Sequence, residues 1–160
     1  MEIFLEQIEE AKKCIKIADH LAYVTYPLVN DIKIINLITD HIFNSLTNSI
    51  DSLLNYERYY KRISNIPSSF ENKFIIFKLE VSKRYNIPGD IILLIKDIKD
   101  IIETRKKNNY QFLRGNNIIL CTDEFRTKTL NLKKVKDYIN STKFLVNKVN
   151  TIIGKNARRF

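Results

Sequence analysis

Apolar residues recur along this chain at three- and four-residue steps, over runs far longer than a β-strand, and that periodicity points to a bundle of helices. The first run is Phe4, Ile8, Ala11, Ile15, Ala18 and Ala22, predicting a helix over about residues 2–26. A second stripe, Cys14, Ile17, Leu21, Val24 and Leu28, widens its apolar face, so burial on more than one side is expected. Pro27 and Asn30-Asp31 break the pattern, with Asn30 in place to cap the next helix. The next run, Ile35, Ile38, Ile42, Leu46, Ile50, Leu53, Tyr56, Tyr60 and Ile63, predicts a helix over about 31–63. Two long helices with so short a connection make an antiparallel hairpin.

Residues 64–69 read as a linker. Ser68 and Glu71 match a capping box that opens a third helix to about Tyr85, with Phe70, Phe74, Phe77 and Val81 inward. After Asn86-Ile87-Pro88-Gly89, Asp90 is placed to cap a fourth helix to about Lys107, with Ile91, Leu94, Ile95, Ile98, Ile101 and Ile102 inward. The chain then changes character. Residues 110–114 and 118–122 are short β-type runs around Gly115-Asn116-Asn117, a hairpin signal, because Gly and Asn tolerate positive φ. Residues 125–130 alternate and can add a third strand. Asn131 caps a last helix carrying Leu132, Val135, Ile139, Thr142, Val146, Val149 and Ile153, which Gly154 is expected to stop, leaving a basic tail over 155–160.

The expected fold is therefore mainly α: one domain over residues 1–160, about five helices, with a small β-hairpin at 108–130 before a basic helix at 131–154. Only three Gly and three Pro occur, too few for the turns of an all-β fold of this length. No apolar stretch reaches the roughly 18–20 residues that span a bilayer, so no membrane partner is expected. The acidic, amphipathic opening is unlike a targeting peptide. Cys14 and Cys121 are too few and too far apart for a disulfide scaffold or a metal knuckle, and they read as buried thiols. A cytoplasmic setting is expected.

Charge is the strongest functional signal. From Arg126 to Phe160, ten Lys/Arg stand against the single acid Asp137, a surplus that equals the chain's whole net charge of +9. A field of one sign has a polyanion as its natural partner. Around the last helix, Lys133, Lys136, Asn140, Lys143 and Asn147 share one side. Arg114, Arg126 and Lys128 lie upstream, and Arg158 and Arg159 in the tail. Lys and Arg neutralise phosphates, and Asn can reach a phosphate, a sugar or a base edge. The nucleic-acid-binding set is thus Arg114, Arg126, Lys128, Lys133, Lys136, Lys143, Arg158 and Arg159. The competing reading is an ordinary solvated helix face.

Other constellations reduce to packing. Asp19-His20 and Asp40-His41 come level across the first hairpin and could hold a metal or exchange protons. Helical phase puts His20 about 160° from Ala18, beside Lys16 and Lys13, with His41 at the edge of the core face and Asp40 and Asp51 outward. The rings do not converge. Tyr56, Tyr59 and Tyr60 alternate with Arg58, Lys61 and Arg62, a mixture suited to single-stranded nucleic acid. Tyr56 and Tyr60 fall on the core stripe, which leaves Tyr59 free to stack. There is no GxGxxG, Walker, HExxH or GxSxG motif, so no cofactor, metal or catalytic residue is assigned.

The opening pair of helices, Ala18-Asp-His-Leu-Ala-Tyr-Val-Thr-Tyr-Pro27 and Asp40-His-Ile-Phe-Asn-Ser-Leu-Thr-Asn-Ser-Ile-Asp51, resembles those of the HEPN-like superfamily. These are small helical bundles of archaeal and bacterial proteins, often linked to RNA or to nucleotidyltransferase partners. The resemblance covers roughly residues 1–107. Its nuclease members carry an Arg followed four to six residues later by a His. Here no Arg precedes His20 or His41, so ribonuclease activity is not carried over. The expected function is a non-enzymatic module binding RNA or another polyanion through its basic C-terminal end. The alternatives are a protein-interaction subunit or homo-oligomer presenting an apolar helix face, and a hydrolase using the Asp/His pairs.

Overall fold

The first helix, α1, runs over residues 3–29: Ile3–His20, one π-helical turn at Leu21–Thr25, and a last turn at Tyr26–Val29. The computed structural model describes residues 2–107, 111–121 and 126–157. Pro27 does not end α1. In the π turn the Tyr26 amide donates to the Leu21 carbonyl, five residues back, and this local shift in register accommodates a residue that has no N–H and would crowd a regular turn. The break falls three residues later. Asn30 takes the left-handed conformation (φ 53°) as the C-cap of α1, and the side chain of Asp31, not Asn30, caps α2 by accepting from the Lys33 amide.

α2 (Ile32–Tyr59) is the central element. It ends four residues before the expected boundary, in a Schellman motif. Lys61 adopts φ 59°, its amide donates to the Arg58 carbonyl, and the Arg62 amide donates to that of Glu57. α1 lies antiparallel on α2. Ser45 Oγ donates to the Ala11 carbonyl at 2.8 Å and Ser52 Oγ to that of Phe4 at 2.7 Å. Facing Ala11 and Ala18, these small residues let the two backbones approach closely, and Thr39, Ser45, Ser49 and Ser52 are all buried with the apolar stripe. The second stripe of α1 is not buried as expected. Of its members only Cys14 is in the core; Ile17 and Val24 are exposed, and Leu28 is 81% exposed.

α3 comprises Phe70–Ile76, a π turn at Phe77–Val81 and Ser82–Arg84. Ser69, not Ser68, is its N-cap, accepting from Asn72. Glu71 is therefore one position short of a capping box and instead bonds Lys99. A second Schellman motif ends α3, with Asn86 at φ 54° and the Ile87 amide on the Ser82 carbonyl. α4 (Gly89–Lys107) begins one residue before Asp90, which sits in the first turn and is not the cap. Its six expected core residues are all buried.

β1 (Gln111–Arg114), β2 (Asn117–Cys121) and β3 (Thr127–Leu130) form an antiparallel sheet with β2 in the centre, so the alternating third run is a strand. Arg114 pairs with Asn117 across a two-residue turn. Gly115, at φ 65°, supplies the positive first dihedral of a II′ hairpin. Ile118 and Leu120 face the core, which puts Cys121 on the other face, half-buried and not buried as expected. α5 (Leu132–Ala157) is capped by Asn131, whose side chain accepts from Lys134. Gly154 does not stop it; the helix continues to Ala157.

Contacts fix the directions. Lys143 reaches Asp19 and Lys136 reaches Tyr23, so α5 is antiparallel to α1. Arg105 reaches Asn36 and Asp40, and Lys99, earlier in α4, lies over Phe70, which packs on Phe43, later in α2, so α4 is antiparallel to α2. The sheet, the start of α2 and the start of α5 share one pole. The ends of α2, α3 and α5 share the other. One contiguous core draws on all five helices together with β2 and Leu130 at the end of β3.

Candidate nucleic-acid interface

A charge that is one-ended along the sequence is not one-ended in space. α5 holds 26 residues, about 39 Å at 1.5 Å each, and carries the basic segment from the sheet pole to the opposite one. Its buried face is Val135, Tyr138, Ile139, Thr142, Leu145, Val146, Val149 and Ile153. Lys133, Asn140 and Asn147 are exposed on the outward side.

The predicted cations divide into three groups. Arg114, at the end of β1, and Lys133, in the first turn of α5, are exposed, and among the described residues no carboxylate lies within ion-pair distance of either. Lys128, Lys136 and Lys143 are half-buried and engaged. Lys128 Nζ stands 3.4 Å from Asp100 and Lys143 Nζ 2.6 Å from Asp19. Lys136 Nζ lies 4.4 Å from the centroid of the Tyr23 ring. These three hold α5 and β3 to α1 and α4 while keeping their charge near the surface. Arg126 is exposed just before β3. Arg158 and Arg159 lie outside the described residues.

The aspartates of the two Asp/His pairs are engaged by different partners. Asp19 is held by Lys143 and Asp40 by Arg105, on different helices. His20 is exposed and His41 half-buried. No group of three or more His, Cys, Asp or Glu side chains that could hold a metal occurs among the described residues. Asp40 and Asp51, placed outward by helical phase, are half-buried because α4 and α3 cover that side of α2. Asp51 stands 3.1 Å from Lys73. Cys14 is buried beside Glu10, and burial, then the carboxylate, pushes its thiol up, away from a reactive thiolate.

The far pole holds a cluster that sequence reasoning missed. Glu57, in the last turn of α2, is 0% exposed at its side chain, while those of Arg62 and Arg84 are each 38% exposed. Glu57 Oε1 accepts from Arg62 at 3.3 Å and from the Tyr85 hydroxyl, and Oε2 accepts from Arg84. Arg62 also donates to the Tyr85 oxygen at 3.1 Å and lies over the rings of Tyr56 and Tyr60. Burial pushes the Tyr85 phenol up, so it stays a neutral donor at physiological pH. Two guanidiniums against one carboxylate leave a surplus of one positive charge. As expected, Tyr56 is buried and Tyr59 exposed, the Tyr59 ring resting edge-on against Phe4 and Tyr60.

Tyr85 also lines a cleft of about 420 Å³ against α5, with Phe144, Asn147, Lys148, Thr151 and Ile152. The aromatic–basic run at 56–62 and the basic helix at 132–157, separate in sequence, therefore meet at one pole. The one available signal was Arg84-Tyr85 at the end of the third apolar run, which repeats the Arg/Tyr pairing of residues 58–62. Comparison of the chain with protein-family models, with curated proteins and with solved structures gives no match.

Proposed function

We propose that this is a non-enzymatic helical module that binds RNA, or another polyanion, along the outward face of α5, in an accessory or ribonucleoprotein-associated role. The observation that carries this reading is the disposition of charge. Arg114 and Lys133 at the sheet pole and Lys148 towards the other are cations for which the described residues offer no carboxylate. Asp19, which faces α5 from α1, is already paired with Lys143 and so opposes a polyanion less, which leaves the exposed Asp137 as the one acid among the described residues of α5. Asn140 and Asn147 stand between the cations as hydrogen-bonding groups. The resemblance of residues 1–107 to HEPN-like bundles points to RNA in preference to other polyanions.

The test is an Arg114→Gln/Lys133→Gln double variant. Both residues are exposed, so the melting temperature should stay within about 2 °C of the parent, as surface changes away from buried features do. Each lost contact to single-stranded RNA removes roughly 0.7 from the slope of log K against log salt, so the slope should become shallower by about 1.4. An unchanged slope takes these residues out of the interface.

A second reading rests on a different observation. Ile17, Val24 and Leu28 of α1 are a helix-spaced apolar line left in water, the kind of surface a protein partner covers. Association through that line would be insensitive to salt and abolished by Val24→Glu/Leu28→Glu.

A further inference from the structure

The cleft between the end of α3 and α5 is lined by groups of three chemistries. Phe144 offers an aromatic face that is 49% exposed on an otherwise polar helix surface. Asn147 and Thr151 add an amide and a hydroxyl, and Lys148 a cation. Among the described residues no carboxylate lines it. Its volume of about 420 Å³ falls in the range of roughly 300–1,000 Å³ that small-ligand sites occupy. Behind Tyr85, Glu57 holds Arg62 and Arg84 in place while each arginine side chain stays partly exposed.

An aromatic face with a neighbouring cation is how unpaired nucleotides are held: the base stacks, which every base can do, and the phosphate meets the charge. Guanidiniums held by a buried carboxylate suit a phosphate better than free surface lysines do, because their forks are already oriented. Building on the α5 reading, we propose that the cleft receives one unpaired nucleotide of a bound RNA strand, its base against Phe144 and Tyr85 and its phosphate towards Lys148, Arg62 and Arg84. The cleft would then be where the strand running along α5 is anchored, the sheet-pole cations contributing charge alone.

The experiment uses the full chain and a single-stranded oligoribonucleotide carrying 5-iodouridine, photocrosslinked and mapped by mass spectrometry, beside titrations of Phe144→Leu and of free uridine monophosphate. Phe144→Leu keeps an apolar side chain at an exposed position, so the fold is expected to survive, which circular dichroism checks. The expected result is a crosslink at Phe144 or Tyr85 and affinity for the oligonucleotide reduced about 5- to 100-fold, with an unchanged salt slope because no charge is lost. Crosslinks elsewhere, with Phe144→Leu binding as the parent does, overturn the cleft while leaving the α5 reading in place. No salt-sensitive binding by the parent overturns the α5 reading and the cleft with it. Tight binding of the free nucleotide without binding of the oligonucleotide makes the cleft a metabolite site and overturns the strand anchor.

Discussion

Replacing Glu57 by Gln tests what joins the ends of α2 and α3. The carboxylate is fully buried and accepts from Arg62, Arg84 and the Tyr85 hydroxyl. Its backbone carbonyl accepts from the Arg62 amide and closes the Schellman turn. The amide substitution keeps the shape but turns one acceptor oxygen into a donor facing an arginine, and leaves two guanidiniums sharing no counter-charge. Removing one partner of a buried pair costs about 3–5 kcal/mol. The arginine side chains here are 38% exposed and can regain water, so the lower end applies, about 3 kcal/mol. At roughly 2–4 °C per kcal/mol for a domain of this size, the midpoint should fall by about 6–12 °C. Thermal and urea unfolding followed by circular dichroism would show it, with the urea m-value unchanged. Arg62→Gln should cost far less, because Arg84 and Tyr85 still satisfy the carboxylate. A Glu57→Gln midpoint within about 2 °C of the parent would refute the reasoning.

Two further expectations concern the core. Tyr138 is pushed up to about 12, first by burial and then by Asp97. Its proton is therefore held more tightly in the folded chain than the ordinary phenol value near 10 allows. Stability from this source is fully present below about pH 10 and is lost as pH rises towards 12, at most about 1.4 kcal/mol per unit. Tyr138→Phe should flatten that part of the midpoint-against-pH curve; an equally steep fall in the variant would contradict it. Ser45→Ala should cost about 0.5–1.5 kcal/mol for the bond to Ala11, and Ser45→Val should cost more, about 1–3 kcal/mol from overpacking the α1–α2 contact. Urea midpoints check both, and a neutral Ser45→Val would mean that the helices are not closely apposed there.

Much of the fold was legible because hydrophobic periodicity reports burial directly. The α4 core and the α2 stripe from Ile35 to Tyr56 appear in the sequence as they do in the structure, whereas Tyr60, half-buried, and Ile63 lie beyond the end of the helix. The misses have physical causes. Ser45, Ser49, Ser52 and Glu57 are polar, so a hydropathy pattern excludes them, yet each is buried with a specific partner. Asn30 and Asp31, and Ser68 and Ser69, are adjacent residues that can each cap a helix, and only backbone geometry chooses between them. Lys61 at positive φ has no side-chain signature. The spacing on α5 showed which cations share a side but not which are engaged, because Asp19 and Tyr23 reach them from α1. The cleft was invisible for the same reason: Tyr85 and Phe144 come from elements far apart in sequence and line one cleft only in the folded chain.

The most direct measurement is the affinity of the unmodified protein for a single-stranded RNA, by fluorescence anisotropy, between 50 and 200 mM potassium chloride. Three to five phosphate contacts, from among Arg114, Lys133, Lys148, Arg62 and Arg84, correspond to a slope of about −2 to −3.5, a loss of about 15- to 130-fold across that range. Binding that weakens to that extent is the result the account predicts. Affinity that does not change with salt, or no binding even at 50 mM, would contradict it.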